Sequence, residues 1–465
     1  MASSSLRRSL HKAFAEIVGK AAVLTEPADC LPYGYDNSRL QALPMAVLFA
    51  SEHRQVEAIV GLCNEQGLRL IPRGTGTGTT GATVPTEGEI VLSLQRMQRI
   101  LQIQPENRLA RVEPGVTNQA LQEALAKRGF FWPPDPTSAS ICTIGGNLAY
   151  NSAGPRAVKY GTPRENTLGL QAVIGSGATI RTGVNTTKGV VGYDLTRLLI
   201  GSEGTLGVIT EATLKLTPLP QTKRTLAASY RDIHAAARAV SAIMAQPVTP
   251  CVLEFMDGAA LGTVRDYTDP ALDASIGALL LIEVDGTQAG IRQDVQAVAE
   301  AASVDGTIEV RIARSEEEVE NLWQTRKALS PALRNAAPKK INEDVVVPVA
   351  RIPDLIDGLQ RLSRETGIRI INFGHAGNGN IHVNLLLDPD DPAQSTAAET
   401  CLSRLFDLVL ELGGTLSGEH GIGLVKKAFV AREIDPITLE LMRRIRRQFD
   451  PNQVLSPGKL FPDTD

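Results

Sequence analysis

The sequence predicts an α+β protein of at least two domains, and three observations carry that prediction. The chain has 465 residues, more than a single hydrophobic core usually organises. Residues 74 to 219 alternate short β-type runs (EIVLSL, RLARVEPG, LQAVIGS, GVITEATLKLTPLP) with glycine-rich turns, and one clear helix, VTNQALQEALAKRG, interrupts them. Beyond TPLPQTKR, a proline-marked boundary, the segments follow the order β-α-β-β-α-β, that of a ferredoxin-like domain.

Taken in order, the first 20 residues, MASSSLRRSLHKAFAEIVGK, place Leu6, Leu10, Phe14 and Ile17 on one stripe. They read as a serine-capped helix, with an amphipathic transit peptide as the alternative. Residues 45 to 72 read strand, helix, strand: AVLFA, then HRQVEAIVGLCNEQG, then LRLIPR. The helix presents Val56, Ile59, Val60 and Cys63 on one face and stops at a C-cap glycine, Gly67. After 220 come strand TLAASY, helix IHAAARAVSAIMA, strands CVLEFM and ALLLIEV, helix IRQDVQAVAEAA and strand TIEVRIA. A charged helix over 315 to 336, a strand at DVVVP, a helix over 351 to 366 and a basic helical C-terminus complete the pattern. The expected domains are 1–219, 220–425 and a C-terminal helical segment, 426–465, that packs back on the first.

Composition narrows the function. With 43% apolar residues, 21% charged residues and a net charge of −4, the chain is an ordinary globular protein without an electrostatic case for nucleic acid. Cys30, Cys63, Cys142, Cys251 and Cys401 are far apart, with no CxxC pair. That spacing argues against an iron–sulfur cluster or a disulfide framework and suits a reducing, cytoplasmic compartment. The longest apolar run, ALPMAVLFA, is too short to span a bilayer, and no secretory h-region is visible.

The loop PRGTGTGTTG contains G-x-G-x-x-G letter for letter. A dinucleotide fold demands a helix immediately afterwards, whereas ATVPTEGEIVLSL follows, with Pro85 and Gly88. The Rossmann reading is therefore rejected. The loop chemistry survives: Gly74, Gly76, Gly78 and Gly81 let N–H groups converge on an anion, beside the hydroxyls of Thr75, Thr77, Thr79 and Thr80 and the charge of Arg73. The bland alternative is a flexible surface loop.

Two further runs, PPDPTSASICTIGGNLAYNSAGPRAVKYG and GSEGTLGVITEATLKL, repeat this mixture of glycine turns and hydroxyl residues. Together with PRGTGTGTTG they resemble the PCMH-type FAD-binding domain of the vanillyl-alcohol-oxidase superfamily. GHAGNGNIH, SGEHGIG and DPNQVLSPGK resemble its D-2-hydroxyacid dehydrogenase branch, which includes D-lactate and D-2-hydroxyglutarate dehydrogenases and the glycolate oxidase flavoprotein subunit. The resemblance runs from about residue 40 to 462. It implies a two-subdomain FAD-binding domain and a ferredoxin-like cap that binds substrate. It further implies that Pro72, Arg73, Gly74, Thr75, Gly76, Thr77, Gly78 and Thr79 wrap the FAD pyrophosphate. Pro134, Asp135 and Thr137 would lie along the flavin, Gly145, Gly146, Asn147, Ser152 and Gly154 would line its phosphates and ring, and Gly204, Gly207, Val208 and Ile209 would hold the adenosine end. The first loop offers no His or Cys for a covalent bond to flavin, and Cys142 lies elsewhere, so the FAD is expected to be non-covalent.

Three of the six histidines fall in GHAGNGNIH and SGEHG. Glycines 374, 377 and 379 oppose a helix, so IRIINFGH reads as a strand, AGNGN as a tight turn and IHVNLLL as the returning strand. Alternation then places His382 and Asn384 on the face opposite Ile381, Val383 and Leu385, and the hairpin can bring His375 beside His382. With Glu419 they make a two-His, one-carboxylate set of the catalytic zinc type, although manganese, iron or cobalt fit as well. His420, next to Glu419, is a natural proton acceptor. The resemblance gives the same assignment: His375, His382 and Glu419 as metal ligands, His420 as general base and Asn384 near metal and substrate.

The resemblance also assigns substrate anchoring to Arg326, Ser330 and Lys340, and Arg326 and Ser330 share a helical face at i and i+4. The expected reaction is oxidation of a D-2-hydroxy acid. The metal would stabilise the alkoxide, His420 would take the proton and flavin N5 the hydride. KKINEDVVVP differs from the tyrosine-rich strand of hydroxyglutarate enzymes, which favours D-lactate, with D-2-hydroxyglutarate and glycolate as alternatives. Without an NAD-binding unit, electrons are expected to pass to an external cytochrome, quinone or electron-transfer flavoprotein. A homodimer, a subunit of a larger complex and peripheral membrane association through the acceptor stay open. The reading from another class is a non-redox metal-binding protein whose glycine loops hold a different phosphate ligand.

Overall fold

The apolar tetrapeptide AVLF forms the strand Ala46–Phe49, Ile90–Ser93 pairs with it in parallel register, and Leu70–Arg73 pairs in parallel with the other edge of Ile90–Ser93. The connecting helix His53–Gln66 buries Val56, Ile59, Val60 and Cys63 and ends at Gly67 with φ 62°, a left-handed cap open to glycine at no steric cost. Helix Ser4–Val18 delivers Leu10 and Phe14 to the same core, in agreement with the plain-helix reading. The computed structural model describes residues 4–86, 88–267 and 273–463; the Leu6 side chain and the serine expected to cap this helix lie outside what is described. A second, five-stranded antiparallel sheet contains Ile100–Gln104, Leu109–Val112, Val208–Lys215, Thr167–Val173 and Thr179–Gly183, in that order. Its core includes the fully buried Trp132, whose indole N–H donates to the Asn166 carbonyl at 2.9 Å. At the C-terminus Asp450 accepts the backbone N–H groups of Val454 and Leu455 at 2.9 and 2.7 Å, and Leu70 N–H donates to Val454 O at 2.7 Å. DPNQVLSPGK is thereby stitched to the first sheet.

These elements form one unit, comprising residues up to Gly154, Gly161–Leu219 and the chain from Glu419 onward; the other holds Pro155–Tyr160 and Pro220–Gly418. One partition lies between Leu219 and Pro220. The second partition falls after Gly418, where the sequence analysis put a boundary at 425. The reason lies in backbone bonding within the first unit: Ile422 and Gly423 N–H donate to the Glu203 carboxylate, and Leu424 N–H donates to Thr80 O. Glu419 accordingly belongs to the first unit and not to the cap domain.

The second unit is a seven-stranded antiparallel sheet. Four strands lie in the order Thr307–Ile312, Thr222–Tyr230, Ala278–Gly286 and Val252–Asp257. In chain order that is fourth, first, third, second, the ferredoxin-like arrangement predicted for this region. Arg369–His375, Asn380–Leu387 and Lys339–Val346 extend it. The sequence analysis named neither helix Pro392–Glu411 nor helix Gly258–Tyr267, and in the latter two glycines in GAALGTVRDY depress the propensity. Asp257 starts Gly258–Tyr267 by accepting the Ala260 N–H at 2.7 Å. Helix Glu316–Ala336 continues through Pro331. It and Gly258–Tyr267 pack on one sheet face, over Met256, Leu279, Leu281, Ile371, Phe373 and Leu386. The same face changes character toward the other strand ends, where Glu254, Glu283, His375 and His382 are all buried.

Candidate active site

In the first unit, the glycine segments converge on a cleft with about 580 Å³ of empty space. It is lined by Pro72, Arg73 and Gly74 from the first loop, Gly145 and Gly146 from the second, and Gly204, Gly207, Val208 and Ile209 from the third. Three segments distant in sequence, each singled out for the same chemistry, thus line one concavity. Gly74 shows why the cleft wall is glycine: a Cβ there would stand 2.5 Å from Thr143 Oγ1. Arg73 is buried, with Nη1 donating to Thr83 Oγ1 at 3.2 Å and Nη2 to Pro32 O at 3.5 Å.

Other expected cofactor residues are not among those lining the cleft and are placed by contacts of their own. Thr75 Oγ1 donates to Ile141 O, Thr77 O accepts from Asn37 Nδ2, and Gly78 O accepts from Asn37 N–H. Gly76 packs against the Arg73 guanidinium, and Thr79 Oγ1 is buried. Pro134 O accepts from Asn118 Nδ2, Asp135 N–H donates to Ala153 O, and Thr137 is exposed. Asn147 turns into the core, accepting from Asn118 Nδ2 at 3.2 Å and donating to Cys142 Sγ at 3.3 Å. Ser152 and Gly154 hold Glu419: Ser152 Oγ donates to its carbonyl at 3.3 Å and Gly154 N–H to its Oε2 at 2.8 Å. His420 O accepts from Thr80 Oγ1 at 3.3 Å. The sequence analysis did not single out Thr143, Tyr150, Ser202 and Glu203, which also line the cleft. Glu203 was findable as an acid flanked by small turn residues in GSEGTLG. Burial pushes its carboxyl up to about 7, against the pull of the Ile422 and Gly423 N–H groups and of Lys426 and Lys459.

In the second unit, the hairpin forms as its glycines suggest. Strand Arg369–His375 turns through Ala376–Asn378 and Gly379 (φ 74°) into Asn380–Leu387. Its register sets His375 opposite Asn380 and His382 opposite Phe373, so the two histidines stand diagonally on one face. Their Nε2 atoms are 3.4 Å apart, with the rings 85° from coplanar. Behind them lies a residue the sequence analysis passed over. Glu254 is fully buried in the strand Val252–Asp257; one oxygen bonds His375 Nδ1 and the other accepts from Arg326 Nε at 2.6 Å. Burial alone would raise this carboxyl, but His375 and Arg326 outweigh it and hold it down at about 2. An acid inside the apolar run CVLEFM was the available signal.

Arg326 is thus turned toward Glu254 and stacked over Phe373 at 4.7 Å. Ser330 is exposed, one helical turn further on, and Lys340 is half-buried on the strand that pairs with Asn380–Leu387. Asn384 donates through Nδ2 to Ile371 O at 3.1 Å and His382 O at 3.2 Å, which leaves its buried Oδ1 as an unused acceptor among the described residues. Asp344 accepts Ser417 Oγ at 3.1 Å and Gly418 N–H at 2.9 Å, anchoring the chain just before Glu419.

Comparison with known proteins accords with these two halves. Residues 44–183 match the family model described as FAD binding domain, and residues 219–460 match FAD linked oxidases, C-terminal domain. The glycolate oxidase subunit GlcD of Bacillus subtilis is 39% identical over 432 residues, covering 93% of this chain and 92% of that protein. A D-lactate dehydrogenase of Anaerostipes hadrus is 32% identical over 428 residues, 90% of each. The fold is also that of p-cresol methylhydroxylase, with a TM-score of 0.81, 19% identity, and coverage of 100% of this chain and 99% of that one. With both family models matched in order and relatives aligned over nine-tenths of the length, the chain belongs to the FAD-linked oxidases, as an FAD-dependent hydroxyacid oxidoreductase of their D-2-hydroxyacid branch.

Proposed function

We propose that the protein oxidises a short 2-hydroxy monocarboxylate, D-lactate or glycolate, to the 2-oxo acid, with a divalent cation bound by His375, His382 and Glu419 and His420 as the base. The observation that carries the reading is the paired Nε2 atoms, backed by Glu254. Two nitrogens each about 2.0–2.1 Å from one tetrahedral zinc stand about 3.4 Å apart, the separation of His375 and His382 Nε2. Glu254 supports it by binding His375 at Nδ1, the ring nitrogen remote from Nε2, as carboxylates behind metal-ligating histidines do. The donor set also fits manganese, and the cleft with its glycine wall fits FAD.

The side chains that line the cleft would hold FAD as the hydride acceptor, and His375, His382 and Glu419 would hold a cation able to polarise the substrate hydroxyl, chemistry that no side chain here supplies. The side chains do the rest. His420 accepts the hydroxyl proton. Lys340 and Ser330 are assigned to the substrate carboxylate, and Asn384 Oδ1 to a donor on the substrate or its hydration shell. Arg326 already shares its charge with Glu254. That arrangement favours a monocarboxylate over 2-hydroxyglutarate, whose second carboxylate needs a cation of its own. The names of the relatives at 39% and 32% identity point to the same two substrates. Electrons are assigned to an external acceptor: cytochrome, quinone or electron-transfer flavoprotein.

The purified protein is expected to be yellow and to bleach anaerobically with D-lactate or glycolate. Dye-coupled rates should rank these above D-2-hydroxyglutarate, and L-lactate should be inert. Colourless protein, or a preference for L-lactate, sinks the proposal. Prolonged EDTA treatment should abolish bleaching by substrate while the flavin absorbance persists, and zinc or manganese should restore it. Full activity in metal-free protein would remove the cation from the reading.

A further inference from the structure

We infer that Glu203 is a positioning residue for the loop that carries Glu419 and His420, and that it ties this loop to the wall of the flavin cleft. The inference rests on the proposed roles of Glu419 and His420 and adds the element that holds them.

Four observations within the first unit lead there. Glu203 lines the cleft while its two carboxylate oxygens serve different partners: Oε1 accepts Ile422 N–H at 2.6 Å and Oε2 accepts Gly423 N–H at 2.7 Å. Those are the second and third residues after His420, so the grip is one turn from the base. Glu203 takes a backbone φ of 53°, which costs a non-glycine residue of order 1 kcal/mol. A glycine there would be cheaper for the backbone and would lose both bonds. The loop is shaped to receive the carboxylate: Gly421 has φ 80°, and a Cβ on it would stand 2.6 Å from Glu203 Oε1 and 2.8 Å from Tyr150 Cδ1. Upstream, Gly154 N–H and Ser152 Oγ hold Glu419, and Thr80 Oγ1 holds the His420 carbonyl. Glu203 supplies the matching restraint downstream. Charge-assisted bonds to backbone N–H groups are about twice as strong as neutral ones, and a carboxylate with two separated acceptors fixes both position and orientation.

The test compares Glu203→Gln and Gly421→Ala with the parent holoprotein. Glutamine keeps the size of the side chain but turns an NH₂ toward one of the two N–H groups. The Gly421 variant pushes the loop off the carboxylate without altering any charge. In each, FAD content by absorbance, metal content and kcat per bound flavin are measured with D-lactate, glycolate and a dye acceptor. The expected result is FAD retained near parent stoichiometry and kcat per flavin lowered by about ten- to a hundredfold, the scale of misplacing a catalytic group by about an ångström. Reduction of the same flavin by dithionite should be unchanged. Unaltered kcat per flavin overturns the inference, as does activity lost only in proportion to FAD, because Glu203 is then merely cleft wall. If one variant fails to fold, the other decides; if both do, the role is general framework and the inference falls. His420→Ala run in parallel separates the two levels. If His420→Ala keeps full turnover, the assignment of the loop itself is wrong. If it is inactive while both clamp variants turn over normally, only the role of Glu203 is wrong.

Discussion

His420→Ala is expected to lower turnover by about 10²–10⁴-fold, the range for removing a positioned general base, while bound FAD and metal stay at parent levels. The expectation follows from how separately the parts are held. The cleft is lined by glycines and by Arg73, Thr143 and Glu203, not by the His420 side chain. The imidazoles proposed for the cation are set by the hairpin register and by Glu254. Truncating His420 therefore removes a proton acceptor and leaves both binding functions standing. Anaerobic stopped-flow following flavin absorbance isolates the reductive half-reaction from the dye acceptor. The loss should appear there and not in reoxidation. A variant that bleaches at the parent rate would assign the base elsewhere.

Glu254→Gln is expected to act through metal affinity. The carboxylate is buried, bonds His375 Nδ1 and takes the Arg326 charge. A carboxamide can accept from one of these partners and presents N–H to the other. If it presents N–H to His375, the ring loses the partner that fixes its tautomer. Losses of outer-shell carboxylates of this kind lower metal affinity by about 10–100-fold. Activity at limiting metal should fall accordingly and recover when zinc or manganese is supplied in excess, with FAD content unchanged throughout. Metal titrations monitored by turnover check this directly. A loss that excess metal does not rescue would mean that Glu254 serves the fold and not the cation. Glu254→Ala is a harsher change: removing one member of a buried ion pair typically costs 3–5 kcal/mol, because Arg326 stays behind with its charge unmet.

Much of this architecture was legible locally. The helix His53–Gln66 with its glycine cap, the hairpin around AGNGN and the ferredoxin-like strand order were each written in short-range patterns. Helix Gly258–Tyr267 was not, since its glycines weaken the pattern and its capping acid is also the last residue of a strand. Glu254 and Glu203 escaped for a related reason: each is a lone acid whose partners are 121 and 219 residues away.

By itself the sequence determined the residue types and their local geometry: glycine loops whose N–H groups can converge, two histidines on the adjoining strands of a hairpin, and an acid and a histidine adjacent in a turn. Tertiary structure decided which of these groups support one another. It turned Asn147 into the core and Arg326 toward a buried glutamate, set Ser152 and Gly154 to hold Glu419, and moved the unit boundary from 425 to 418. The physical reason is that periodicity and propensity are properties of neighbours along the chain. Satisfying a buried carboxylate, by contrast, requires donors brought from wherever the fold places them.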